Sequence, residues 1–552
     1  MKKTDYQDIP RRTFLLLVFV FMQLSFCSGI IAQDPFGPLR KAWMDKAQSN
    51  KPELGYTEKK PLELIKIVED TGCFQGLRIL KAGEMEDYYR STMKKSNTVI
   101  VDFGEHMVGY LQFVLNPLSP ADAPVRLKFT FGEVPAEMYQ PFDPYKGTLS
   151  RAWLQDEIVK FAVLPDTIKL PHRYSFRYVK IELISSSNNY DFSIQDIKCL
   201  KVSSAREEKY LVEKELPSPY NEIDRVAIKT LRDCMQTVFE DGPKRDRRLW
   251  IGDFKLEALA NYYSFQNIAL VKRCLYSLAA MSDSTGLLYG TIFERPYLHP
   301  EKHHPIDYCL LYNSVLTEYY HETSDLVTLQ DLWPVAKQQA LHIVPFISQE
   351  GIFHLPEGWW AFIDWKENLD KQTALQGIMI YCLNHTLELA KILNKTNEVA
   401  FLPDLIKKMK AASKKNFYSK ESKLFVSGNS RQISTASQVW MILSETVTPK
   451  EGKQLLQQLD LQKDVVKPGT PYMYHYVLEA MVSCGMFEEA KKLIAFYWGG
   501  MIKKGADTFW EVYVPENDFV SPYNSYIINS YCHAWSCTPN YFLRKYRKEM
   551  FK

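Results

Sequence analysis

The chain is 552 residues long, 46% hydrophobic and 24% charged, and its 68 Lys and Arg nearly cancel its 65 Asp and Glu, leaving a formal net charge of +3. That balance excludes an intrinsically disordered chain, and the lack of a basic excess argues against a nucleic-acid partner. At roughly 100 to 200 residues per domain the length implies several domains, or two if one is a large barrel.

Met1-Lys2-Lys3 and Arg11-Arg12 precede an apolar run from Thr13 to Phe26 that meets Ser28-Gly29 and Gln33-Asp34. A charged segment followed by so short a run predicts a secretory signal over residues 1–32, cut after Ala32, and an exported, most simply periplasmic, product. The alternatives are an uncleaved anchor, a lipoprotein acylated at Cys27, although Phe26 is bulky for that cleavage, or full secretion. Removing residues 1–32 takes Lys2, Lys3, Arg11 and Arg12 against Asp5 and Asp8, so the remainder carries about +1 and is electrostatically bland. No later stretch approaches the length of a membrane span. The remaining nine of the ten cysteines are scattered, with the pattern of small buried hydrophobes; Cys532 and Cys537 are near enough in sequence to pair, which sequence does not decide.

From Pro61 to Val202 the pattern is of short alternating runs, such as Val125, Leu127, Phe129 and Val179, Ile181, Leu183, separated by Pro, Gly, Asn and Ser. These predict an antiparallel β-sandwich, assigned with its linkers to 33–214. After Pro217-Ser218-Pro219 the period becomes helical: Ile223, Val226, Ala227, Leu231, Cys234, Met235 and Val238 share one face up to Gly242-Pro243. Amphipathic stretches recur near Leu256–Ile268, Cys309–Tyr320, Leu329–Ile347, Ala374–Leu393, Leu402–Lys414, Ser437–Leu443, Pro471–Cys484 and Phe487–Tyr497. Several are apolar on more than one side, as helices of an inner ring would be. At roughly 25 to 30 residues per helix and loop, residues 215–552 hold about twelve helices, and an all-α barrel of six hairpins is the natural closure.

A barrel of hairpins carries its chemistry in loops, and three are dense in carboxylates and aromatics: Glu240–Asp253, Glu357–Glu367, and Gly505–Glu511 with His533 and Trp535. Paired carboxylates beside Trp and Arg suit glycoside hydrolysis, in which one acid protonates the leaving oxygen and a second carboxylate activates water or attacks the sugar. Aromatic faces stack on the apolar side of a pyranose, and the 13% aromatic content, with 33 Tyr and 11 Trp, supplies them. Each feature has a plainer explanation as well: a solvated salt-bridge cluster for the first loop, core packing for Trp359, Trp360 and Trp365, and a satisfied helix histidine for His533. His299, His303 and His304 lack ligand spacing, so neither a metal nor another cofactor is expected.

In these loops the sequence resembles the bacterial α-L-rhamnosidases, whose loop reads Asp-Cys-Pro-x-Arg-x-Glu-Arg-x-Gly-Trp-x-Gly-Asp. Asp241, Pro243, Arg245, Arg248, Trp250, Gly252 and Asp253 match it. Asp102–Tyr110, Phe131–Val134 and Phe176–Val179 resemble the family's sandwich, and Ile306-Asp307, Phe362–Trp365, Tyr474–Ala480 and Gly505–Glu511 follow in its order. The resemblance implies an inverting glycosidase with an (α/α)6 barrel, Glu511 as general base, and Asp241, Asp253, Asp307, Trp365 and His533 lining the sugar subsite with Arg245. Arg247, Trp250 and Asp364 are counted as substrate-binding with them. Its implied substrate is a terminal α-L-rhamnosyl residue of an oligo- or polysaccharide.

One position departs from the pattern. Where the family has its acid Glu, this chain has Arg247, with one residue missing before Trp250, and an arginine donates no proton near neutral pH. Asp246 is first in line as replacement, ahead of Asp253 and Glu294. Arg247 offers a two-pronged contact to a uronic acid. The competing readings are a same-fold glycosidase for another L-sugar or a uronic acid linkage, a carbohydrate-binding homologue without turnover, and, more weakly, a lyase.

Overall fold

The computed structural model describes residues 34–206, 216–302 and 304–552. The signal segment with its cleavage position, Cys27, His303, and the expected junction at 214/215 lie outside the described residues.

Nine strands form the N-terminal sheet: β1 (Gly55–Lys59), β2 (Glu63–Glu69), β3 (Leu77–Gly83), β4 (Thr98–Pro117), β5 (Val125–Gly132), β6 (Asp156–Phe161), β7 (Asp166–Lys169), β8 (Tyr174–Ser185) and β9 (Phe192–Ser203). All pairings are antiparallel. The first half of β4 lies between β2 and β8 in a layer ordered β3-β2-β4-β8-β5-β6, and its second half lies between β9 and β7 in a layer completed by β1. Its register breaks between Asp102 and Met107, where Gly104 takes φ +77°, a conformation that favours glycine. The two layers therefore share a strand. Alternate residues of β5, namely Val125, Leu127, Phe129 and Phe131, are fully buried between them, and Phe113 of β4 packs on Phe129 and Phe161 with centroids 5.3 and 5.9 Å apart.

The barrel consists of twelve helices in outer-inner pairs: Tyr220–Cys234 with Ile251–Tyr262, Ile268–Ala280 with Ile306–Thr323, Leu326–Ile343 with Gln372–Ile392, Leu402–Phe417 with Thr435–Leu443, Pro449–Asp460 with Pro471–Ser483, and Phe487–Lys503 with Pro539–Lys545. The second member of each pair packs on the next, and Pro539–Lys545, aided by the turn Ala534–Ser536, closes the ring onto Ile251–Tyr262. Every residue of Ile251–Tyr262 is buried, whereas the outer helix Pro449–Asp460 buries only Gly452, Leu455, Leu456 and Leu459, a single stripe.

Three details differ from the sequence expectation. The first barrel helix ends at Cys234 rather than running through Val238, because Met235 turns extended and pairs with Phe239 while Glu240 N–H bonds the Cys234 carbonyl at 3.0 Å. Met235 and Val238 are still buried, so the apolar spacing recorded burial and not helix. Helices Ile268–Ala280, Pro449–Asp460 and Pro539–Lys545 went unread. Lastly, a helix at Gly37–Ser49 precedes the sheet but packs on Ile268–Ala280 of the barrel, where Trp43 Nε1 donates to the Asp331 carbonyl at 3.2 Å.

Inner helices Gln372–Ile392 and Thr435–Leu443 cross at Gly377, where a Cβ would lie 2.7 Å from the Trp440 backbone. Gly377→Ala is expected to destabilise the protein by about 1–3 kcal/mol, measured by denaturant unfolding, since the obstructing atoms are main chain and give little.

Candidate active site

The carboxylate-rich loops converge at the end of the barrel where the inner helices begin. Trp250 caps Ile251–Tyr262 and Asp253 lies in its first turn; Asp307 occupies the same place in Ile306–Thr323. Helix N-termini present unpaired N–H groups and a positive dipole end, so acidic side chains are at home there. Gly252 between the capping Trp and Asp253 has a structural reason: a Cβ would strike the Tyr308 ring at 2.2 Å.

A pocket opens at this end, lined by Asp241, Arg245, Asp246, Trp250, Asp253, Tyr308, Trp360, Phe362, Trp365, Glu511, Tyr523, His533 and Trp535. Glu511 is buried and held from all sides. Tyr523 Oη donates to its Oε1 at 2.5 Å, Ser530 N–H donates to Oε2 at 3.1 Å, and the Arg245 guanidinium pairs with Oε2. Burial pushes its pKa up, but Arg245, His533 and the Tyr523 hydroxyl together outweigh this and hold Glu511 below the ordinary carboxylate value. Arg245 is fixed in turn by its Nε bond to the Ile528 carbonyl at 2.9 Å and by lying 4.5 Å over the Tyr523 ring.

The other acids behave in the opposite way. Burial, followed by repulsion from neighbouring carboxylates, pushes Asp241 well above the usual range; in Asp253 burial again dominates and drives the pKa up. Asp241 Oδ1 accepts from Arg248 N–H at 2.9 Å and so closes the loop 241–248 on itself. Asp253 Oδ1 and His533 Nδ1 are buried 3.7 Å apart, and neither has a hydrogen-bond partner; burial lowers His533 to about 3, so it is neutral. The pocket thus offers a charged carboxylate on one side and neutral groups able to donate or accept on the other, a set suited to sugar hydroxyls.

Eight of the eleven residues singled out from sequence line this pocket: Asp241, Arg245, Asp246, Trp250, Asp253, Trp365, Glu511 and His533. The structure does not bring Asp307, Asp364 or Arg247 to its wall. Asp307 accepts from the Phe362 and Ile363 N–H groups at 3.0 and 2.8 Å, and Asp364 accepts from Gly469 N–H at 2.7 Å and Thr470 Oγ1 at 2.6 Å. Both are buried struts for the loop that carries Phe362 and Trp365. Arg247 faces the sheet side, with Arg173, Tyr174 and Glu240 around it. Glu294, weighed as an acid, is instead bound to Arg273 at 2.5 Å. Cys532 and Cys537 are both buried free thiols. Sequence reasoning missed Tyr308 and Tyr523. Tyr308 sits in an apolar helical run and reads as core; Tyr523 is one of 33 tyrosines and nothing in its neighbours marks it.

The sheet domain reaches the site as well. Lys244 bonds the Ile527 and Asn529 carbonyls, each at 2.8 Å, and Glu137 at 2.6 Å. Glu133 Oε2 accepts from Tyr531 N–H at 2.6 Å. Phe142 and Leu154 pack on Tyr523, Ile527 and Ile528.

With this geometry in place, sequence and structure comparisons give a consistent result. Residues 61–201 match the glycosyl hydrolase family 78 α-rhamnosidase N-terminal domain, and residues 217–546 match the bacterial α-L-rhamnosidase six-hairpin glycosidase domain. The chain belongs to the family 78 α-L-rhamnosidases. Among solved structures, it is 37% identical to a rhamnosidase from Klebsiella oxytoca with rhamnose bound, with a TM-score of 0.89 over 92% of this chain and 99% of that one. A family 78 rhamnosidase of Bacillus sp. GL1 (20% identity, TM-score 0.68, 81% of this chain and 46% of that one) and the Streptomyces avermitilis α-L-rhamnosidase complexed with L-rhamnose (16%, 0.60, 89% and 44%) share the fold. The chain spans a little under half the length of these last two. No curated protein matches the sequence. As a family 78 rhamnosidase it is a glycoside hydrolase with an N-terminal antiparallel sheet domain and an (α/α)6 barrel, and no helix among the described residues is long and apolar enough to cross a membrane.

Removing the cation beside Glu511 raises the carboxylate's pKa, so at a given pH less of it is ionised. In Arg245→Gln the acid limb of the pH profile of kcat/KM, which reports the free enzyme, is therefore expected to move to higher pH, read by a pH–rate series on an aryl α-L-rhamnoside.

Proposed function

We propose that the protein is an exported, exo-acting α-L-rhamnosidase that removes terminal rhamnosyl residues by inversion, with Glu511 as general base and Asp246 as general acid. The observation that carries this reading is the fully bonded Glu511, held below the ordinary carboxylate value beside Arg245, facing a pocket in which burial pushes Asp241 and Asp253 the other way. A base must hold its negative charge before substrate arrives, and Arg245 maintains it. Asp246 lines the same pocket, and its side chain is 20% exposed against 3% for Asp253. The acid has to recover a proton from solvent after each turnover, which favours the exposed group. Asp241, Asp253 and His533 then bind hydroxyls, while Trp250, Phe362 and Trp535 cover apolar ring faces. The relative with rhamnose bound supports rhamnose as the sugar, the family match supports a rhamnosidase acting on terminal residues, and the charged and apolar N-terminal segment supports export to the periplasm. No cofactor enters the mechanism.

Aryl α-L-rhamnosides are the direct test, with proton NMR on the first product formed. The β-anomer is expected, and the α-anomer would overturn inversion. Glu511→Gln and Asp246→Asn should each lower kcat by roughly 10²-fold or more. An unimpaired Asp246→Asn alongside a dead Asp253→Asn would transfer the acid role to Asp253. Binding of saccharides with no turnover on any sugar would mark a carbohydrate-binding homologue.

A further inference from the structure

Asp246 and Arg247 both adopt left-handed backbone, φ 56° and 53°, and although they are neighbours they face different surroundings. Asp246 lines the pocket, while Arg247 lies among Arg173, Arg295, Glu240 and Tyr174. The charge there is unbalanced. Glu240 is gripped by Arg173, whose Nη2 donates to both carboxylate oxygens at 2.9 and 2.7 Å. Glu294 is held by Arg273 and Thr237, and Glu301 by Arg248 at 2.6 Å. Among the described residues no carboxylate is bonded to Arg247 or Arg295. Arg247 makes one long contact, Nη2 to the Lys244 carbonyl at 3.3 Å, and its buried Nε has no partner. Burial, then repulsion from Arg173, lowers its pKa to about 10. Arginines gathered around a single carboxylate leave positive charge uncompensated, and a guanidinium fork matches a carboxylate two-pronged.

We infer that Arg247, with Arg295 and Arg173, binds the carboxylate of a uronic acid in the leaving group. This rests on Asp246 as acid: the acid meets the glycosidic oxygen, and Arg247, the next residue of the same loop, lies outside the pocket that takes the rhamnosyl ring, which leaves it the departing sugar as its part of the substrate. The preferred substrate would be a rhamnosyl residue linked to an acidic sugar.

Two measurements test it. Calorimetry in a Glu511→Gln background compares α-L-rhamnosyl-glucuronate with the neutral α-L-rhamnosyl-glucose, so binding is read whether or not the enzyme turns over. The acidic disaccharide is expected to bind more tightly, and the preference to fall by about tenfold in Arg247→Gln and by less in the exposed Arg295→Gln. In the enzyme with Glu511 intact, kcat/KM for the acidic substrate should fall as salt rises while that for the neutral one changes little. An acid-to-neutral preference unchanged in both variants overturns the inference, as does inorganic phosphate binding as tightly as the acidic disaccharide, which would mark a general anion site. Failure of turnover with the preference intact would count against the rhamnosidase reading alone.

Discussion

The site is organised around the buried ion pair between Arg245 and Glu511. Two charges withdrawn from water are stable only when each is bonded on its remaining sides, and removing one partner of such a pair typically costs about 3–5 kcal/mol. Here the remaining bonds come from elsewhere in the chain: the Ile528 carbonyl and Tyr523 ring for Arg245, Tyr523 Oη and Ser530 N–H for Glu511. The same pair that keeps Glu511 below the ordinary carboxylate value therefore fixes segment 523–530, and that segment carries one wall of the pocket. Lys244 and Glu133 extend the network into the sheet domain, which makes the sheet a part of the active-site scaffold.

The broad architecture was legible in the sequence because its two periods differ, alternation up to Val202 and three- and four-residue steps after Pro219. Individual helices were less so. Pro449–Asp460 contributes a thin stripe among Lys and Gln, and the end of the run, from Met235 to Val238, had helical spacing without helical backbone. At the site, the motif positions Asp241, Arg245, Trp250, Asp253 and Glu511 converge as the order of motifs implied. Asp307 and Asp364 read from sequence as substrate-binding residues, whereas the structure has them bracing a loop: a buried aspartate that binds backbone N–H groups and one that binds sugar have the same letter. Tyr523 acts through a contact that no local pattern records.

The shortened first loop gives a physical account of the departure at Arg247. Two consecutive non-glycine residues with positive φ are unfavourable, and loop 241–248 is clamped at both ends, by Asp241 to Arg248 and by Lys244 to the loop carrying Ile527 and Asn529. Within that clamp the chain sends one side chain into the pocket and the next out of it. A carboxylate at 246 and a cation at 247 thereby face different surroundings though adjacent in sequence.

Glu133 meets the backbone of Tyr531 across 398 positions of sequence, and the His106 N–H meets Asp507 across 401. Contacts so distant along the chain form late, because each closes a long loop before it returns any stabilisation. The sheet has its own apolar core, whereas Glu511 has its surroundings only where the final loops dock against strands hundreds of residues before them. The surroundings of Glu511 are thus assembled from parts of the chain that are remote in sequence, and barrel helices alone would lack the sheet contacts that hold its neighbour segment.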